Sequence, residues 1–258
     1  MSLLPELAAG LAGGSIEVVD LTHTLSEDFP TLVLPEPFGQ TLPFSSEVIS
    51  RYDENGVAWY WRNFTVGEHT GTHFDAPAHW ISGRDLPRNT VDTMPARDFV
   101  APVNVVDCAA AAAENPDFLL TCEHIRQWEE EHGTIERGSW VFMRTDWGKR
   151  NPEEYANRKE DGAHTPGPSA ECIRFLIEER DICGFGTETI GTDCGQAHLL
   201  DPQYPAHTLL HGAGRYGLQC LTGLDQLPAR GAIVMAAPLK LRDGSGSPLR
   251  VFALVERK

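Results

Sequence analysis

The sequence predicts an α/β chain, or an α+β one, built on a mixed β-sheet with few helices and folded as a single domain over residues 1–258. Three observations carry this. Short runs rich in β-branched and aromatic residues recur along the chain, only two helices are well signalled, and no linker, charge block or fixed-period repeat divides it. A content of 41% hydrophobic and 22% charged residues is that of a globular chain, and single domains of this length are common.

The strand-like runs come in order as Ile16–Leu21, Trp59–Val66, Pro102–Val106, Trp140–Arg144, Ile182–Gly186, Gly217–Leu221, Ala232–Ala236 and Leu249–Leu254. One helix starts after Thr121 as N-cap, runs through Ile125 and Trp128 and stops at Gly133. A second has Pro168 near its first position and sets Ile173, Leu176 and Ile177 on one stripe before Asp181. A weaker third covers Ala206–His211. Thr31–Phe44, Gly83–Met94 and Lys149–Pro168 are predicted loops, and loops this long usually cover something or act on it.

Charge narrows the function. Twenty-one basic against 37 acidic residues leave −16, which argues against nucleic acid or an anionic membrane as the main partner. No run approaches the roughly 18 apolar residues of a membrane span. Met1–Gly14 carries Pro5 and Glu6 but no Lys or Arg, unlike a signal peptide, so a soluble cytoplasmic protein is expected. The six cysteines lie too far apart for a CxxC pair and are expected to be free thiols.

Chemistry concentrates in Gly67–Trp80, where His69, His73, Asp75 and His79 stand at successive spacings of 4, 2 and 4. On a helix, at about 100° per residue, they would face two ways. On an extended segment all four share one face. A straight strand at about 3.3 Å per residue holds His69 about 13 Å from His73, so a bend is required, and Gly71 sits midway. Imidazole plus carboxylate suits Zn²⁺, Mn²⁺ or Fe²⁺ with positions left for water or substrate. The absence of a nearby cysteine argues against a structural zinc site.

The run from His69 to His79, H-x-G-T-H-x-D-A-P-x-H, resembles the signature of the cyclase-like metal-dependent hydrolases, the family containing bacterial kynurenine formamidase and isatin hydrolase. Similarity continues through Arg144–Trp147, Gly184–Asp193, Pro205–His207, Ala237–Lys240 and Gly246–Ala253. The resemblance implies a swivelling β/β/α domain, commonly a homodimer with the site near the subunit interface. It makes His69, His73 and Asp75 metal ligands and His79 the catalytic acid/base. In the formamidase branch a His followed twelve positions later by Glu completes a second metal site. Here His207 matches the first of these, but the second position holds Gln219, a far weaker cation ligand. One ion per chain is therefore expected, Mn²⁺ first and Zn²⁺ second by resemblance, and the overall pattern is closer to the isatin hydrolase branch.

The mechanism so implied is attack on an amide carbonyl by a metal-activated water, with His79 taking the water proton and delivering one to the leaving nitrogen. Trp59 and Trp61, on one face of their strand, and Trp80 are candidate walls for a small aromatic or cyclic amide substrate, with His207 and Gln219 beside the metal. Only the resemblance singles out isatin, opened to isatinate. The rival readings are an arylformamidase acting on N-formylkynurenine and a non-catalytic metal or small-molecule binding protein; an acid/base residue beyond the ligands speaks against the latter. Gly212–Gly217 matches GxGxxG, but a helix-like segment precedes it and a strand-like one follows, the reverse of a dinucleotide fold. Cys194 as a nucleophile is weakly supported, and Asp146 and Glu188 receive no role.

Overall fold

The computed structural model describes residues 2–257. Among these, nine strands form one mixed sheet. Its centre is four parallel strands, Val100–Asp107, Trp140–Arg144, Gly184–Thr187 and Tyr216–Gln219. Parallel neighbours need long crossovers, and the helices Cys122–His132, Ala170–Glu178 and Pro205–Gly212 supply them. Antiparallel strands flank the centre: Ala232–Met235, Phe252–Glu256 and Ile16–Asp20 on one side, His73–Asp75 and Gly246–Pro248 on the other.

Alternation along the strands divides the interior. Val106, Val141, Met143 and Phe185 pack under the helices with Ile125, Trp128, Ile173 and Leu176. The intervening Val105, Trp140 and Phe142 point the other way, into a second core with Phe74, Leu218, Leu221 and Val251. That second core is enclosed because the sheet curls, bringing Thr22 into a β-bridge with Leu221. The α/β class with a mixed sheet is borne out.

Most predicted elements are present, with adjusted bounds. The second helix is Ala170–Glu178; the Ser169 hydroxyl accepts the Cys172 N–H at 3.1 Å, so Pro168 lies before the cap and not inside the helix. Of the GxGxxG glycines, Gly212 ends helix Pro205–Gly212, Gly214 lies in the turn after it and Gly217 lies within strand Tyr216–Gln219, so a helix precedes the pattern and a strand follows. All six cysteines are free. The run at Trp59–Val66 forms strand Tyr60–Thr65, but outside the main sheet: it pairs only with Ser45–Arg51, as an exposed two-stranded arm. Elements beyond those expected include that Ser45–Arg51 strand, the short helix Ala109–Glu114, the strand Gly246–Pro248 and the helix Leu3–Gly13, whose Leu3 and Leu4 are exposed. The predicted loop Lys149–Pro168 holds a single helical turn, Pro152–Tyr155, and a small hairpin. No helix is long and apolar enough to cross a membrane among the described residues.

Candidate metal centre and active site

Strand His73–Asp75 turns Phe74 into the core and, by alternation, sets His73 and Asp75 on the opposite face. The four motif residues do not share one extended face, however. Gly71 adopts φ 69°, a left-handed turn open to glycine at low cost, and folds His69 back over the strand. A single 3₁₀ turn, Pro77–His79, then returns His79. Two local turns thus supply the required bend. One ligand atom each from His69, Asp75 and His79 lie within 4.8 Å of one another, and the His69 and His79 rings stack at 3.8 Å.

Asp75 is the hub and is fully buried. His69 Nδ1 lies 2.8 Å from its Oδ1, His73 Nε2 lies 3.3 Å from the same oxygen, and Gln219 Nε2 donates to Oδ2. Burial alone would raise this carboxyl, but the surrounding His73 and His79 imidazoles and the His69 hydrogen bond hold it well below the usual carboxylate range. His79 moves the other way: burial, opposed by Asp75 but reinforced by the neighbouring imidazoles, pushes it down to about 2, so it stands neutral.

These residues fit a divalent cation. His73 Nδ1 donates to the Gly71 carbonyl at 2.8 Å, so Nε2 is the nitrogen turned to Asp75 Oδ1, 3.3 Å away. With the ring neutral, as a metal ligand must be, these are two facing acceptors. A cation between them satisfies both. Glycine keeps the room open: a Cβ on Gly217 would sit 2.9 Å from Asp75 Oδ2, and one on Gly246 would meet His69 Cε1 at 2.6 Å.

Helix Pro205–Gly212 closes the site from the other side. Asp193 accepts the first backbone N–H groups of that helix, Ala206 at 2.6 Å and His207 at 3.1 Å, and the His207 ring at 2.6 Å. Burial would depress His207, but the Asp193 hydrogen bond outweighs it and raises its pKa. His207 Nε2 lies 3.9 Å from Asp75 and 3.4 Å from Gln219 Nε2. His211, one turn on, joins Asp75 and His207 in a second cluster within 4.8 Å; its Nδ1 faces the Arg215 carbonyl, and its buried Nε2 has no partner. Burial pushes His211 down to about 4. Trp80 stands over His207 at 4.8 Å between ring centres, its indole N–H held by Thr208. Trp59 and Trp61 lie on the exposed arm, 6.4 Å from each other between ring centres.

Sequence reasoning missed Asp193, His211, Glu68 and Ser245. His207 and His211, four apart on a helix, carried a readable signal. The other three did not.

A family model, Cyclase, matches residues 19–194. The chain belongs to the cyclase family. It is 48% identical over 99% of its length to the isatin hydrolase of Roseibium aggregatum, covering 98% of that protein. It is 29% identical to the kynurenine formamidase of Bacillus cereus, over 91% of this chain and 95% of the relative. Among solved structures it superposes on isatin hydrolase A from Labrenzia aggregata, bound to benzyl benzoate, with a TM-score of 0.98 and 60% identity, covering 99% of this chain and 100% of that one.

The cyclase match takes in the whole His69–His79 motif and Asp193 but ends before His207, His211, Gln219 and Ser245. The half of the site built on helix Pro205–Gly212 and its following strand lies beyond it. The similarity to the isatin hydrolase extends over that half as well.

Proposed function

We propose that this cyclase-family protein is a metal-dependent hydrolase that opens a cyclic amide, isatin to isatinate or a related lactam. The carrying observation is the pair His73 Nε2 and Asp75 Oδ1, 3.3 Å apart, beside a half-buried His79 whose pKa is pushed down. The similarity to isatin hydrolases supports the substrate class. His69, His73 and Asp75 hold one divalent cation, Mn²⁺ in preference to Zn²⁺. When bound, the cation supplies Lewis acidity, lowering the pKa of a water toward about 7 and polarising a carbonyl.

The protein's own groups do the rest. His79, neutral and stacked on His69, accepts the proton of the attacking water. As the carbonyl C–N bond breaks, its electron pair stays on nitrogen, and His79 returns the proton there. Trp80, pinned by Thr208, offers a flat apolar wall for an aromatic ring. Gln219 donates its amide to Asp75 Oδ2, the oxygen a second cation would need. That contact favours one ion and disfavours the formamidase reading. The exposed arm with Trp59 and Trp61 suits a homodimer in which a second copy covers it. Six free thiols suit a reducing compartment such as the cytoplasm.

Elemental analysis and turnover test the reading together. About one ion per chain with turnover of isatin is expected. About two ions with faster turnover of N-formylkynurenine would make it a formamidase, and bound metal with neither substrate turned over would make it a binding protein. His79→Ala should keep its metal while kcat falls about 10²–10⁴-fold; turnover at the wild-type rate would remove His79 from the mechanism.

A further inference from the structure

Glu68 and Ser245 lie outside the ligand set, yet both are wired into it. Ser245 Oγ is 2.8 Å from His69 Nε2 and 2.6 Å from Glu68 Oε2, which also accepts the Ser245 backbone N–H at 3.0 Å. The donors in this chain are determined. A carboxylate only accepts, so the Ser245 hydroxyl proton points at Glu68. The hydroxyl lone pairs then face His69, whose Nε2 must carry the hydrogen. An imidazole binds a cation only with one nitrogen bare, and with the N–H held on Nε2 the nitrogen that can exchange its proton for a cation is Nδ1, 2.8 Å from Asp75 Oδ1.

We infer that Glu68 and Ser245 are positioning residues that fix the tautomer and rotation of His69, so that it meets the cation through Nδ1. Two further features agree. Glu68 is the immediate neighbour of His69, so the carboxylate and the ring leave the same turn before Gly71. Ser245 precedes Gly246, whose missing side chain leaves room for the His69 ring beside the Gly246–Pro248 strand; a Cβ there would meet Cε1 at 2.6 Å. The Ser245 carbonyl also accepts the Ala76 N–H at 2.9 Å, tying the relay to the segment that follows Asp75. The hydroxyl is thus anchored by backbone on the same strand edge that it serves.

This inference rests on His69 being a ligand, and the test separates the two claims. The probe is Mn²⁺ alone, its affinity measured by competition with a chelator. Wild-type protein that binds no Mn²⁺ would overturn the ligand reading and this one with it. If wild type binds, Ser245→Ala and Glu68→Ala should each weaken Mn²⁺ by about 10–100-fold, the usual effect of removing an orienting partner. Ser245→Thr and Glu68→Gln, which keep the hydroxyl and a carbonyl oxygen, should restore most of it. The Ser245→Ala/Glu68→Ala double variant should be no worse than Ser245→Ala, because both act through one chain of bonds. Mn²⁺ affinities within about twofold of wild type in both alanine variants would overturn the inference. So would a manganese-loaded crystal in which His69 meets the ion through Nε2. Thermal unfolding of the metal-free variants separates loss of the relay from loss of fold, and the Thr and Gln variants keep the test decisive if an alanine variant unfolds.

Discussion

At the scale of single residues, burial decides which groups keep their charge. Glu188 is fully buried; its Oε2 accepts the Thr145 N–H at 2.7 Å, while Oε1 has no partner. Burial pushes its carboxyl from 4.5 to about 7. A raised folded-state pKa means the group favours the fold fully below about 4.5, and that contribution is lost as the pH rises through about 7. Glu188→Gln keeps a carbonyl oxygen for Thr145 and removes the titration. Relative to wild type, the variant should gain about 2–3 kcal/mol of stability between pH 5 and pH 8. Urea denaturation at the two pH values measures it; a constant difference would mean that Glu188 ionises freely in the folded protein. The residue scale is also where the sequence is most uneven as a guide. His69, His73, Asp75 and His79 are readable because eleven positions hold four ligand-type side chains. Ser245, 176 positions from His69, is one serine among many until the fold sets it against the ring.

Elements differ in legibility for a physical reason. The central strands are buried on both faces, so Trp140–Met143 reads as an unbroken apolar run, and the charged Arg144 that ends the strand is its only partly exposed residue. Strand His73–Asp75 has three residues, two of them polar, and its pairing with Gln219 and Pro248 comes from segments far away in sequence. No local pattern announces it. Helix Pro205–Gly212 is short and carries two histidines on its buried side, so its apolar stripe is weak. It is held instead by a remote carboxylate. Asp193 satisfies two N–H groups that the first turn leaves without intrahelical partners, and adds negative charge at the positive end of the helix. Asp193→Ala should therefore cost about 1–3 kcal/mol, since those N–H groups are buried. Asp193→Asn, which keeps one oxygen, should recover part of it. Denaturant midpoints of the two variants check this, and an alanine variant as stable as wild type would show that the helix start is held by something else.

On the scale of the whole molecule, the arm is the feature that a single chain does not explain. Strands Ser45–Arg51 and Tyr60–Thr65 pair only with each other, and every residue of the second is exposed. Val48, Trp59, Trp61 and Phe64 are between 49% and 62% exposed, and Phe38 and Leu42 of the preceding loop are 60% and 58% exposed. An isolated two-stranded ribbon is marginal in water, and a patch this apolar calls for a cover. The arm also roots at the active site: the Leu42 carbonyl accepts the Gly67 N–H at 3.1 Å and the Thr70 hydroxyl at 3.2 Å, on either side of His69. Whatever grips the arm therefore also steadies the turn that places His69. If a second copy is the cover, association and activity must fall together. Trp59→Ser combined with Trp61→Ser should halve the mass seen by sedimentation equilibrium and lower kcat/KM about tenfold or more, the order expected for loss of two buried aromatic anchors. The metal-binding residues lie off the arm, so saturating Mn²⁺ should still load the variant. A wild-type chain that sediments as an active monomer would refute the arrangement, as would a dimer untouched by the two substitutions.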